Sequence, residues 1–186
     1  MRGTRRLASK ALQVLLPLAA VYASAVACAG VPDIGVWQQN RFNVYLSGLS
    51  TRYTCDELQK LFTYLLAQSG AKINSPVAAE PCRGGATLQR FSEAALNFDS
   101  LRLATGTSTS ADVVGTWRHI EISSHHTGGV LTGTDCDLVV EFAEDVLVKH
   151  FETRNVVGSG ACNNFRNDFD YRLTYDVFVP ASAPSN

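Results

Sequence analysis

The sequence predicts an α+β fold: two tandem βαββ repeats forming a helix-on-sheet sandwich with pseudo-two-fold symmetry. Three observations carry that prediction. Thr54-Cys55-Asp56 recurs 81 positions later as Asp135-Cys136-Asp137. The apolar stripe Leu58, Leu61, Phe62, Leu65 and Leu66 maps at the same shift onto Val139, Phe142, Ala143, Val146 and Leu147. The second cysteine of each half follows at a shift of 80, from Cys82 to Cys162. Recurrence at a fixed spacing marks a repeated supersecondary unit. Helices that are polar along one side cover a sheet rather than sit inside a bundle.

Residues 1–27 read as a secretory signal peptide. Arg2, Arg5, Arg6 and Lys10 form a basic start without acids, an apolar run covers 11–21, and small residues lead to Cys28. Ala25-Val26-Ala27-Cys28 resembles the lipobox of bacterial exported lipoproteins, although Ala25 stands where that family usually has Leu. The resemblance covers only the first thirty residues or so, and it implies lipidation of Cys28 and anchoring to a membrane. Cleavage before Gly30 instead would remove Cys28 and give a secreted form. Either route leaves four cysteines able to pair, an even number suited to an oxidising compartment. The expected location is therefore outside the cytoplasm: periplasmic, lipid-anchored to the cell envelope, or secreted.

A leader or tether is expected over 28–40, with Pro32 and Gly35 marking irregular backbone. The first repeat spans 41–103. Phe42, Val44 and Leu46 alternate with polar residues, as in a half-buried strand. Thr54 and Glu57 form a capping box for a helix whose stripe follows the i, i+3, i+4, i+7, i+8 pattern. Gly70 stands at the left-handed helix end. The helix descends about 20 Å at roughly 1.5 Å per residue. A return strand over 71–77 climbs about 23 Å at roughly 3.3 Å per residue. Cys82 thus arrives back beside Cys55. Residues 87–103 hold one long strand or two, and 104–112 is a Thr/Ser/Gly linker.

The second repeat spans 113–179. Residues 117–123 alternate as a strand, with Ile120 and Ile122 opposite His119 and Glu121. Cys136 opens the second helix, which runs to His150 or Phe151. A strand over 154–157 returns toward Cys162, and a tight turn is expected at Gly158-Ser159-Gly160. The alternation from Phe169 to Val179 marks the last strand, and 180–186 reads as a flexible tail. In style the arrangement resembles ferredoxin-like and other split βαβ folds, an architectural likeness that carries no function.

Removing the four basic residues of the signal from 16 leaves 12 against 17 acids, a net charge of about −5. The excess lies in 112–176, with eleven acids and five bases. Nucleic-acid binding requires clustered positive charge, so that class of partner is excluded. The expected partner is another envelope protein.

The pairs Cys55–Cys82 and Cys136–Cys162 are expected as structural disulfides, each contributing about 3.5 kcal/mol through loop closure. No Cys-x-x-Cys occurs, which argues against redox turnover. His125 and His126, on a glycine-flanked loop near Asp135 and Asp137, are the candidate ligands for a divalent metal, with His119 in support. Adjacent residues of an extended chain point in opposite directions, so solvent-exposed loop histidines are the simpler account. His150 reads as a favourable charge at a helix C-terminus. No catalytic constellation and no cofactor other than that metal are indicated. The reading is an exported, disulfide-stapled binding or structural protein, with a metal-binding protein built on the histidine loop as its rival.

Overall fold

A computed structural model describes residues 33–46, 49, 51–80, 82, 87, 88, 90–105, 112–124, 130–159, 162 and 171–181. The chain divides into Met1–Gly30, outside the described residues, and the compact unit Val31–Asn186. Its described residues are mixed α+β, with one antiparallel sheet of seven strands and two helical segments. The strands are β1 (Asp33–Tyr45), β2 (Lys72–Ile73), β3 (Ala78–Glu80), β4 (Glu93–Leu103), β5 (Val113–Ser123), β6 (Thr153–Ser159) and β7 (Arg172–Pro180). Their order across the sheet is β2-β4-β1-β5-β7-β6, with β3 alongside β4 beyond β2. No helix among the described residues is long and apolar enough to cross a membrane.

The first helix, α1 (Cys55–Gln68), begins at Thr54, whose hydroxyl accepts from the Glu57 amide while the Glu57 carboxylate accepts from the Thr54 amide. All five residues of its stripe are buried. It ends at Gly70, whose φ of 79° lets the Ala71 amide reach back to the Leu66 carbonyl. The second helical segment starts differently. Asp135 does not cap it; its carboxylate reaches back to the amide and hydroxyl of Thr132, closing a 3-10 turn over Gly133–Asp135. Then come α2 (Cys136–Glu141), a π-helical stretch (Phe142–Leu147) and α3 (Val148–His150).

Alternation places Val44, Leu96, Ile122, Tyr175 and their neighbours on the face toward the helices, where they join both apolar stripes in one core. Each helix end is tied to a strand. Arg118 Nη2 donates to the Gln68 carbonyl at 2.6 Å, and Ser100 Oγ donates to the His150 carbonyl at 2.6 Å. These contacts satisfy carbonyls that helix termini leave free.

Several boundaries differ from the sequence reading. The expected leader is strand from Asp33 onward, because Asp33, Ile34 and Gly35 pair with Gly115, Val114 and Val113. Gly35 marks close packing rather than a turn: a Cβ there would lie 2.6 Å from the Phe178 ring and 2.8 Å from Leu101. Pro180 belongs to β7, opposite Gly115, not to a tail. The return after α1 is two short strands rather than one. Residues 93–103 form one strand, since all eleven pair with β1. Gly158 and Ser159 lie in β6 and make no turn, because they pair with Leu173 and Arg172.

Candidate functional site

The structure places Cys55 beside Cys82 and Cys136 beside Cys162, as disulfides with Cα atoms 5.7 and 5.5 Å apart. Both tie the start of a helix to the chain that follows the return strand. A disulfide cysteine has no thiolate, so in this state neither Cys55 nor Cys136 offers a nucleophile at its helix N-terminus. Cys28, His125 and His126 lie outside the described residues. Among the described residues no three His, Cys, Asp or Glu side chains are grouped to hold a metal.

The loops that precede the two helical segments meet. Thr51 Oγ1 donates to the Thr134 carbonyl at 2.7 Å. The Tyr53 hydroxyl is buried near Asp135 without a hydrogen bond of good geometry. Burial first, and the Asp135 carboxylate second, push its pKa up, so it stays protonated. The junction is an open concavity of about 480 Å³.

The most organised set of polar side chains lies on the other face of the sheet, away from the helices. Asp176, on β7, takes three donors there. His119 Nδ1 lies 2.9 Å from Oδ1, while Asn155 Nδ2 and Arg154 Nε lie 2.7 and 3.3 Å from Oδ2. The His119 hydrogen bond, then those of Asn155 and Arg154, hold the Asp176 carboxyl below its usual range. An ionised Asp176 requires the proton of His119 on Nδ1, an assignment that follows from the partner. Arg154 also stacks on Trp117, 4.2 Å from the ring centroid, and Trp117 Nε1 donates to Asp33 at 3.1 Å.

A second set on the same face repeats this pattern. Lys72 lies 3.6 Å over the Trp37 ring, and Asn74 Nδ2 donates to Asp99 at 2.8 Å. Leu101, opposite Trp37, and Phe178, opposite Trp117, are both buried outside the main core and pack over Gly35 and Gly115. The result is an apolar stripe with a cation–aromatic pair at each end. Each pair contributes about 0.5–1 kcal/mol when exposed.

The sequence reading assigned His119 to the polar side of its strand, where it is found, but missed the rest of this face. A signal was available: Gly35-x-Trp37 recurs as Gly115-x-Trp117 at the spacing of 80 already seen for the cysteines. His150 is corrected. Its Nδ1 lies 3.2 Å from Asn40 Oδ1, and its ring stacks on Phe42 at 3.8 Å. Burial first, then Arg102 and Lys149, push its pKa down, which opposes the charged form expected at a helix end. Asp145 is bridged to Lys149.

No family model, curated protein or solved structure matches the chain.

Proposed function

We propose that the chain is an exported, disulfide-stapled binding or structural protein, built from two tandem βαββ repeats, that acts through contact with another protein of the cell envelope. One observation carries this reading: two disulfides recur at matching places, each bracing a helix start against its return strand. Disulfides persist in oxidising compartments outside the cytoplasm, which fits the signal-like first 27 residues.

Strand order supports the duplication. Reading outward from the centre, β1, β4 and then β2 and β3 answer to β5, β7 and β6. The central pair Ile34↔Val114 joins residues 80 apart, so it would lie on the pseudo-dyad. Its flanking pairs, Asp33↔Gly115 and Gly35↔Val113, would exchange under the same rotation. The tryptophan–cation sets also correspond. What the halves share is framework: staples, stripes and strand pairing. Cys28 as a lipid-bearing residue belongs to the same reading, and it would hold the domain at a membrane surface.

Intact-mass measurement of the natively exported protein, with peptide mapping under non-reducing conditions, tests this. The expected result is cleavage before Cys28 or Gly30 and two disulfides, each within one half. A diacylglyceryl mass on Cys28 identifies the anchored form. Free thiols, linkage between the halves, or retention of residues 1–27 in the cytoplasm would overturn the reading.

A further inference from the structure

The outermost strand on the second half is β6, which among the described residues pairs with β7 alone. Among the described residues no strand pairs with its other edge, and an edge of this kind is the template on which a further strand can form. Beside it, between β6 and the second helical segment, runs a groove of about 290 Å³. Val140, Glu144 and Val148 line it from the helical side, and Val156 and Gly158 from the strand. Val140, Val148, Val156 and Val157 are all exposed, at 44%, 54%, 36% and 57%. Val140, Val148 and Val156 line the groove together, while Val157, opposite Thr174, stands on the other face of the same edge; exposed apolar side chains grouped in this way mark interaction sites.

The local backbone creates this groove. At Asn155 the chain takes a φ of 54°, and the pairing with β7 shifts between Arg154 and Val157. Such a bulge inserts one residue and reverses the alternation that follows. Arg154 and Asn155 both turn to the outer face, so Val156 is directed into the groove. Gly158 then leaves the floor without a side chain, and a Cβ there would meet nothing within 4 Å. On the helical wall, the π-helical stretch Phe142–Leu147 carries Glu144. Helical π segments are frequent at functional sites. Tyr171, only 4% exposed, also lines the groove, and its buried hydroxyl has no hydrogen-bond partner among the described residues.

Charge defines the occupant. Asp137, Glu141, Glu144 and Asp145 share the helical segment; of these Glu144 lines the groove, and Asp145 is bridged to Lys149. Burial first, and then these neighbouring acids, push the Glu141 carboxyl up, as expected in a negative field. Arg172 lines the groove from β7 and is bridged to Glu121 at 3.2 Å. An edge that no described strand pairs, a valine-lined groove and the Glu144 carboxylate on its helical wall together fit one chemistry. We propose that an extended segment of a partner protein, with the pattern apolar-x-Lys/Arg, adds to β6 as a further strand. The residue opposite Gly158 inserts its apolar side chain over the glycine, because directly opposed residues share a face. The basic residue two positions away lies on that same face and meets Glu144. Main-chain pairing supplies affinity and the groove supplies selectivity, as in strand-addition complexes generally.

This inference names the partner segment for the contact-based function proposed above, and it has a separate test. A random dodecapeptide display library is panned on the full exported chain with its disulfides intact. Selected peptides are then synthesised and titrated by fluorescence anisotropy. Enrichment of apolar-x-Lys/Arg peptides is expected, with at least tenfold weaker binding to Gly158→Val, whose side chain fills open space. Glu144→Lys should exchange the preference for basic peptides for acidic ones. Amide exchange of the wild-type complex should slow at 157–159, which keeps the test independent of how any variant folds. Failure to enrich, equal binding to Gly158→Val, or no slowing at β6 overturns the proposal. Sedimentation that detects a dimer abolished by Val157→Lys would also overturn it, by assigning the edge to a second copy. Each of these outcomes leaves the disulfide and export reading standing, because the intact-mass experiment decides that.

Discussion

Asn155 holds a left-handed backbone conformation, φ 54°, while its side-chain amide donates to Asp176 at 2.7 Å. The two facts belong together. The bulge that turns Asn155 to the outer face brings its amide to the carboxylate that also binds Arg154 and His119. Asparagine tolerates this conformation better than other residues with a Cβ.

Asn155→Gly and Asn155→Ala should therefore differ. Both lose the amide, but only alanine pays the left-handed cost. The alanine variant is expected to be less stable than the glycine variant by about 1 kcal/mol. Urea unfolding midpoints of the two variants check this, and equal midpoints would contradict it.

The glycines at the sheet centre are required by a ring. A Cβ on Gly115 would overlap the Phe178 side chain, and one on Gly35 would lie 2.6 Å from it. Gly115→Ala should cost about 1–3 kcal/mol through overpacking. Part of that loss should return when Phe178→Leu is added, so the double-mutant cycle is expected to be non-additive. Thermal melting of the four proteins measures the coupling.

Stability should depend on pH through His150. Its pKa is lowered in the folded protein from an ordinary 6.5. Below that value the unfolded chain binds a proton that the folded chain resists, so unfolding gains free energy as pH falls. Stability is thus full above about pH 7 and declines as pH drops through 6.5 toward the folded pKa. His150→Gln should flatten this slope in the pH 5–7 range. Chemical denaturation at several pH values reads it directly.

Each disulfide closes a loop of similar span, with partners 27 and 26 residues apart. Replacing either pair by serine should cost about 3.5 kcal/mol by the chain-entropy argument. The two losses should be nearly equal and close to additive, as for separate sites. Denaturant midpoints of the oxidised protein, the two paired variants and the reduced protein provide the comparison.

Much of the fold was legible because it rests on local signals. The α1 capping box, the stripe from Leu58 to Leu66 and the Gly70 helix end each depend on residues a few positions apart. The strand alternation through Val44, Ile122 and Tyr175 was equally readable, since a buried face imposes a period of two. Disulfide partners followed from helix rise and strand length. The second helical start was less legible. Asp135 occupies the capping position in sequence, yet its carboxylate folds back to Thr132, where two donors lie within 2.9 Å.

The sequence by itself determined the α+β class, the paired cysteines and the core-facing side of the three strands that alternate most clearly, around Val44, Ile122 and Tyr175. These follow from covalent spacing and hydrophobic periodicity, which act within one segment. Only the tertiary structure decided what the strand ends do. Pro32, Gly35 and Pro180 look like breaks when read locally, yet Asp33 to Gly35 and Pro180 both pair at the centre of the sheet. The same is true of the outer face. Trp37 with Lys72, and Trp117 with Arg154 and Asp176, are joined across strands distant in sequence. Polar alternation marks such residues as solvated; pairing register alone brings a cation over a ring or three donors to one carboxylate. The bulge at Asn155 belongs to this second group. One inserted residue redirects Val156, and no local propensity records where the opposing strand will lie.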